Sequence, residues 1–358
     1  VTATVLAAFD SLEQLPGSAS DLLDAAGPDD LFLSRPWLES FVAAGLAPDA
    51  APLFLTLGDG VSTRAVIPCQ RKASDPTLSS LTSYYSCGFR PIVAPGGDTE
   101  RTLFDLGRKL ADRFSGEAVI GFDSLESGHS GLPPFLAGLS RPGRILLRYA
   151  HFGRWWENVS DRGFDDYLAE RDGALREVLR RKGARLRRDG GRFFLLGPTA
   201  DDAAVEQAIA DYETVYAASW KNAEPFPAFQ PTLMRNLAKA GWLRLALCHI
   251  DDRPIAAQLW AVCGGRATIL KLAHDRQFDK QSPGTLLTAF AIRTIMEHGR
   301  IDSIDFGRGD DPYKRAWTSS RAAHIGVLSV DVKRRPLLVA RHLAGAALRR
   351  LKGRGADG

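Results

Sequence analysis

Near the C-terminal end, polar and glycine residues cluster in an order that can do chemistry. Lys271-Leu-Ala-His-Asp275 is followed by Gln281-Ser-Pro-Gly-Thr-Leu-Leu287 and then Asp305-Phe-Gly-Arg-Gly-Asp-Asp-Pro-Tyr-Lys-Arg-Ala-Trp317. A loop bearing Gly284 ahead of a helix can hold a phosphate on the backbone N–H groups of Gly284, Thr285 and Leu286, because a helix N-terminus carries about half a positive charge. The same residues also read as an ordinary helix start, with Ser282 as cap and Pro283 at the first position. His274 is a candidate base, since a histidine can take up and release a proton near neutral pH. Asp310 and Tyr313 supply a carboxylate and a phenol close together, suited to moving protons. Lys271 interrupts an apolar strand, so it either binds something or snorkels to solvent.

The elements that must position these residues follow from hydrophobic spacing. A short apolar strand at 192–196 precedes a helix over 201–220, whose Val205, Ile209, Tyr212, Val215, Tyr216 and Trp220 share a face. A second helix spans 231–240. Strands at 242–250, 255–263 and 267–273 are joined by Asp251-Asp-Arg-Pro254 and Gly264-Gly265, turn sequences that predict a meander. A helix over 285–298 stops at Gly299. A strand at 301–306, a short helix or turn through Trp317 and a strand at 324–332 complete the series. The first half repeats it more faintly, with strands at 4–9, 53–57, 62–68, 78–86, 118–122 and 144–150 and helices near 18–25, 36–44 and 99–114. Between the halves, 164–186 reads as one long helix rimmed by arginines and weakened by Gly173 and Gly183.

This order and these motifs resemble the acyl-CoA N-acyltransferase superfamily, the GNAT fold. More closely they resemble the bacterial BioF2-like, cellulose-biosynthesis-type acetyltransferase domains, which are related to the Fem peptidyltransferases. The resemblance covers 176–321. It implies an α/β (α+β) chain of tandem GNAT-like domains, each a mixed central sheet flanked by helices. The expected division is a degenerate domain over 1–160, an acyltransferase domain over 161–332 and a basic tail over 333–358. It further implies that acyl-CoA or acetyl-CoA is the co-substrate, with no metal. The family's Gln/Arg-x-x-Gly-x-Gly/Ala loop matches Gln281, Ser282, Gly284, Thr285 and Leu286 as cofactor-binding residues, with Leu286 standing where the pattern has a small residue. Asp310, Tyr313 and His274 become the catalytic candidates: a carboxylate to relay the amine proton, a tyrosine to protonate the leaving thiolate, and a base. Lys271, Asp305, Arg308 and Lys314 become candidates for binding substrate.

Composition narrows the class. The chain has 358 residues, a net charge of +4, and four scattered cysteines without a C-x-x-C pair. Neither a zinc site nor a disulfide framework is indicated, and a cytoplasmic setting is expected. No signal peptide and no membrane-spanning run is read. The span 171–192 holds nine Lys/Arg against three acids, and 333–354 holds eight Lys/Arg and no acid. The tail reads as a basic amphipathic helix with Leu337, Leu338, His342, Leu343, Ala346 and Leu351 near one another. That is suited to peripheral contact with an anionic membrane at the inner face of the cytoplasmic membrane, or to docking on the protein. Nucleic acid is not an expected partner, since aromatics do not interleave the basic segments.

The leading expectation is therefore an N-acyltransferase. It would move an acyl group from acyl-CoA to a primary amine, such as a sphingoid base in ceramide formation or an amine of an envelope polysaccharide. The alternative is a Fem-like aminoacyl-tRNA-dependent peptidyltransferase of cell-wall precursors. A third reading is a binding module without turnover. The first domain's loop, Val93-Ala-Pro-Gly-Gly-Asp98, carries Asp98 and Glu100 at its helix start, so only one CoA per chain is expected.

Overall fold

A computed structural model describes residues 4–342 and Ala344. The chain forms two compact units, each drawn from separated stretches of sequence. The first comprises residues up to Ala26, Ala47–Phe152, and residues from Ala323 on; the second comprises Gly27–Leu46 and Gly153–Ala322.

The first unit holds β1 (Val5–Phe9), α1 (Gly17–Ala26), β2 (Ala50–Gly58), β3 (Thr63–Lys72), β4 (Asp75–Ser80), β5 (Ile92–Val93), α3 (Thr99–Arg113), β6 (Val119–Glu126) and α4 (Leu132–Leu139). It also takes the start of β7 (Arg144–Asn158) and most of β13 (Ser320–Asp331). Its strands run β1-β2-β3-β4-β6-β13, with β5 on β3. The pair β4–β6 is parallel through only three partners, Thr77↔Val119 to Ser79↔Gly121.

The second unit holds α2 (Arg35–Ala44), the end of β7, α5 (Phe164–Ala169), α6 (Gly173–Arg188), β8 (Arg192–Leu196) and α7 (Asp202–Ala217). There follow α8 (Phe229–Lys239), β9 (Leu243–Ile250), β10 (Arg253–Cys263), β11 (Arg266–His274), α9 (Pro283–His298), β12 (Ser303–Arg308) and α10 (Pro312–Trp317). Its strand order is β8-β9-β10-β11-β12-β7. The expected tandem of mixed sheets flanked by helices is thus the observed fold. Each unit's sheet is completed by a strand from the other half of the sequence: β13 lies on β6, and the end of β7 lies on β12. The helix α2, although early in the chain, packs on α8 through Trp37 and Phe41 against Phe229, with ring centroids 5.5 and 6.1 Å apart. These unit bounds differ from a division at 160 and 332 because apolar faces, not chain order, decide which segments pack together.

Some local expectations are corrected. The helix read over 164–186 is two helices. Arg171 turns its side chain inward to Glu157 and to the Trp317 carbonyl, and Asp172 restarts the backbone as the cap of α6. The strand read at 78–86 ends at Ser80, and its following segment folds back to β6, where the Ser86 carbonyl accepts from Ser124 Oγ and Phe89 stacks on Phe122. The helix read over 201–220 ends at Ala217, leaving Trp220 exposed rather than on the buried face. Residues 336–342 are helical, but Val339 packs on Leu147 and Val330 while Leu337 and Leu338 stay exposed. Leu343, Ala346 and Leu351 lie outside the described residues. No helix among the described residues is long and apolar enough to cross a membrane.

One buried ion pair anchors the second unit. Asp305 is 1 % exposed; its carboxylate accepts from Arg154 and from the Gly307 N–H. Burial alone would raise this carboxyl, but the Arg154 charge and hydrogen bonds, with Arg266 and Gly307, hold it below the ordinary carboxylate range. Both carboxylate oxygens are spent inside the fold, so Asp305 is a structural residue and not the substrate contact the sequence suggested. Removing Arg154 leaves a buried charge without its partner, and Arg154→Ala is expected to lose about 3–5 kcal/mol in denaturant unfolding at neutral pH. The sign with pH follows from the depressed folded pKa. The contribution is present above the unfolded carboxylate value and is lost as pH falls through the folded one, so wild type and variant should converge on acidification. A variant as stable as wild type at neutral pH would show that the pair adds nothing.

Candidate active site

The strands β11 and β12 pair in parallel only through Arg266↔Ser303, Ala267↔Ile304 and Thr268↔Asp305. Beyond that point no register joins Ile269–His274 to Phe306–Arg308 among the described residues. At the far end of β11 the chain makes a 3₁₀ turn and enters α9. Ser282 sits just ahead of the helix in the left-handed region, with φ 54° and ψ 46°, a conformation uncommon for a side-chain-bearing residue. Its side chain makes no capping hydrogen bond. The ordinary N-cap reading of Ser282 is therefore corrected. By contrast Asp98, Asp172 and Asp201 cap α3, α6 and α7 with their carboxylates.

The Leu286 N–H already donates to the Ser282 carbonyl at 3.2 Å, so Leu286 is not one of the phosphate donors expected of it. The remaining first-turn N–H groups, those of Gly284 and Thr285, have no acceptor within the helix. The Leu286 side chain is buried, 3.6 Å from where a Cβ on Gly183 of α6 would lie. A glycine on the neighbouring helix thus admits a leucine where the motif has a small residue. A Cβ on Gly284 would lie 3.3 Å from His274 Nδ1. This Nδ1 is buried without a hydrogen-bond partner among the described residues, while Nε2 lies 2.8 Å from Asp279. The buried Oε1 of Gln281 likewise has no partner among them. From α6, Lys182 donates to the Lys280 carbonyl, adding positive charge beside the loop.

Under the first turn of α9 runs a buried polar chain that sequence reasoning missed. Trp260 Nε1 donates to Gln258 Oε1 at 3.0 Å. Gln258 Nε2 donates to the Gly284 carbonyl at 2.9 Å and to Thr288 Oγ at 2.7 Å. Thr288 donates to the same carbonyl at 3.0 Å, so its oxygen accepts from the Tyr313 hydroxyl. Burial pushes that hydroxyl well above the ordinary tyrosine range, so it keeps its proton. The signal was present as one glutamine inside the apolar run Ile255–Cys263.

Asp310 is placed differently from its expected use. Arg321 grips both its oxygens, at 2.6 and 3.0 Å, and Trp155 Nε1 donates to it at 3.0 Å. The Arg321 hydrogen bonds come first among the causes that hold its carboxyl far below the usual range. Such a carboxylate is a weak proton acceptor, so the structure favours Asp310 as a residue that positions the Gly309–Asp311 loop. Lys314 donates to the Arg308 carbonyl and lies 3.8 Å from Asp311, which ties the substrate candidates Arg308 and Lys314 into that loop.

Lys271 does not snorkel. Its Nζ is 2.5 Å from Glu224, whose same oxygen accepts from the Tyr216 hydroxyl at 2.5 Å. Beside this group Lys221 lies 5.8 Å from the centre of the Trp220 ring, and Trp220 in turn packs on His274 at 4.6 Å. Neither Lys221, Glu224 nor Trp220 stood out as site residues in the sequence: Lys221 and Glu224 fall in the irregular segment between α7 and α8, and Trp220 read as part of the apolar face of a longer helix.

Residues 173–315 match the family model described as an acetyltransferase (GNAT) domain. This part of the chain is a GNAT-superfamily domain, so it implies an acyl donor and an acceptor. A comparison with curated proteins gave no match. Among solved structures the chain is similar to FemX, with a TM-score of 0.61 at 13% identity over 90% of this chain and 98% of that one. It is also similar to a conserved protein of unknown function from Bacteroides thetaiotaomicron, with a TM-score of 0.57 at 13% identity over 91% and 100% of the two chains. L-PGS from Bacillus licheniformis gives 0.54 at 11% identity over 94% and 97%. At these identities the likeness is one of fold.

Proposed function

We propose that the protein transfers an acyl group from acyl-CoA to a primary amine, with one donor bound per chain in the second unit. The observation that carries this reading is the start of α9. A helix without a side-chain cap begins at a left-handed Ser282, carries in its first turn a glycine whose Cβ would lie 3.3 Å from His274, and starts where the β11–β12 register has ended. In this reading the pyrophosphate accepts from the Gly284 and Thr285 N–H groups, and His274 Nδ1 serves that phosphate rather than acting as the base. The thioester arm runs between β11 and β12. The amine attacks the thioester carbon, the new C–N bond forms as C–S breaks, Tyr313 donates its proton to the departing thiolate, and the proton released by the amine nitrogen passes through water to restore the phenol.

In this reading the corresponding helix start of the first unit, at α3, does not hold a donor. The Asp98 carboxylate occupies the start of α3 by accepting from the Arg101 N–H at 2.9 Å, and Glu100 adds a second negative charge. The chain after β4 also folds across β6, through Ser86 and Phe89. Calorimetric titration with CoA is therefore expected to give one site per chain. Two equivalent sites would refute the single-donor reading, and the absence of CoA or acyl-CoA binding would refute the donor itself.

A second reading, Fem-like transfer from aminoacyl-tRNA, draws support from the arginine-rich α6 and the fold likeness to FemX; an aminoacyl-tRNA binding assay separates the two. The basic segment from Lys333 and the exposed Leu337 and Leu338 support peripheral contact with an anionic membrane at the inner face of the cytoplasmic membrane. On this view an envelope or lipid amine is the acceptor.

A further inference from the structure

We infer that the acceptor carries an anionic group, a carboxylate or a phosphate, beside its amine, and that Lys221 binds it. This inference rests on the proposed acyl transfer and names the acceptor's chemical class.

Lys221 stands in the segment between α7 and α8, half-buried, with its Nζ 5.8 Å from the centre of the Trp220 ring. Its electrostatic neighbours are Lys271 on β11, Lys314 and Asp311 around α10, and Glu224 from its own segment. The two carboxylates in this set are already engaged. Glu224 takes Lys271 at 2.5 Å and the Tyr216 hydroxyl at 2.5 Å, and Asp311 lies 3.8 Å from Lys314. The Lys221 N–H donates to Ser219 Oγ at 3.3 Å, but its ammonium has no hydrogen-bonded or ion-paired acceptor among the described residues. Burial first, and then the charge of Lys271, push its ammonium down to about 8. A partly desolvated cation crowded by other cations is a poor structural element, since folding gains nothing from it. It becomes favourable when an anion arrives, because a charge-assisted hydrogen bond then forms where water is already displaced. The same excess of positive charge repels an acceptor whose only charged group is an ammonium, such as a bare sphingoid base.

The test uses the full chain and four amines in two matched pairs: glycine with glycinamide, and O-phosphoethanolamine with ethanolamine. Each is titrated by calorimetry with and without saturating CoA, and each is offered with acetyl-CoA while free thiol is followed. We expect the anionic member of at least one pair to bind roughly tenfold or more tighter than its neutral partner, as a hydrogen bond to a charged group implies. The pair that shows the preference identifies carboxylate or phosphate as the recognised group. Lys221→Met is expected to erase the preference in binding and in kcat/KM, and Lys221→Arg to retain most of it. Equal binding within both pairs, no binding of any of the four amines, or a preference that survives Lys221→Met overturns the inference. Failure of CoA to bind refutes the acyl-CoA reading instead, and the titrations without CoA still read the anion preference.

Discussion

Gly284→Asp is expected to weaken CoA binding by at least about 100-fold while leaving the protein folded. Aspartate at the first turn of a helix is favoured by the helix dipole, so α9 has no reason to unravel. Its carboxylate would stand in the place that the structure leaves open beside His274, where a Cβ comes within 3.3 Å of the ring. A unit negative charge about 4 Å from a phosphate charge is repelled by roughly 4 kcal/mol at an effective dielectric of 20. A hundredfold loss needs only about 2.7 kcal/mol, so the prediction leaves room for screening. The measurement is a CoA titration alongside circular dichroism and thermal unfolding. A well-folded variant with wild-type affinity would remove the pyrophosphate from the start of α9.

The second large effect is expected in turnover. Tyr313→Phe should lower kcat by roughly 100-fold or more, within the range that a positioned acid contributes. CoA affinity should stay within a few-fold, since the phenol lies beneath the first turn of α9 and not at the proposed phosphate site. Fold stability should also hold, because Thr288 keeps its bonds to Gln258 and to the Gly284 carbonyl when the phenol is gone. The split between kcat and CoA affinity separates an acid from a mere packing residue. Wild-type kcat in the variant would assign the thiolate's proton to another donor.

Much of the site was legible in the sequence because its signals are local. Gly284 following Gln281-Ser-Pro, the three preceding strands and the motif from Asp305 to Trp317 are short-range patterns. Backbone geometry ties them to a loop, a helix start and a strand end. The end of α9 at His298 and the strand β8 follow from the same kind of pattern. Local pattern also foresaw that the helix start of the first unit would carry Asp98 and Glu100.

What each side chain does with its charge was decided by the tertiary structure alone. Asp310 and Asp305 look alike in the sequence, each an acid in a glycine-rich stretch. Arg321 grips the first at the loop, while Arg154, far away in the chain, buries the second in the core. Lys271 found Glu224 across forty-seven positions, and Lys221 was left over. The exchange of β13 and the end of β7, and the capture of α2 by α8, are equally invisible to local pattern. They depend on which apolar faces meet after the chain has turned back on itself. Hydrophobic periodicity fixes what an element is and which face it buries, whereas its partners are set by long-range packing, which one stretch of sequence does not encode.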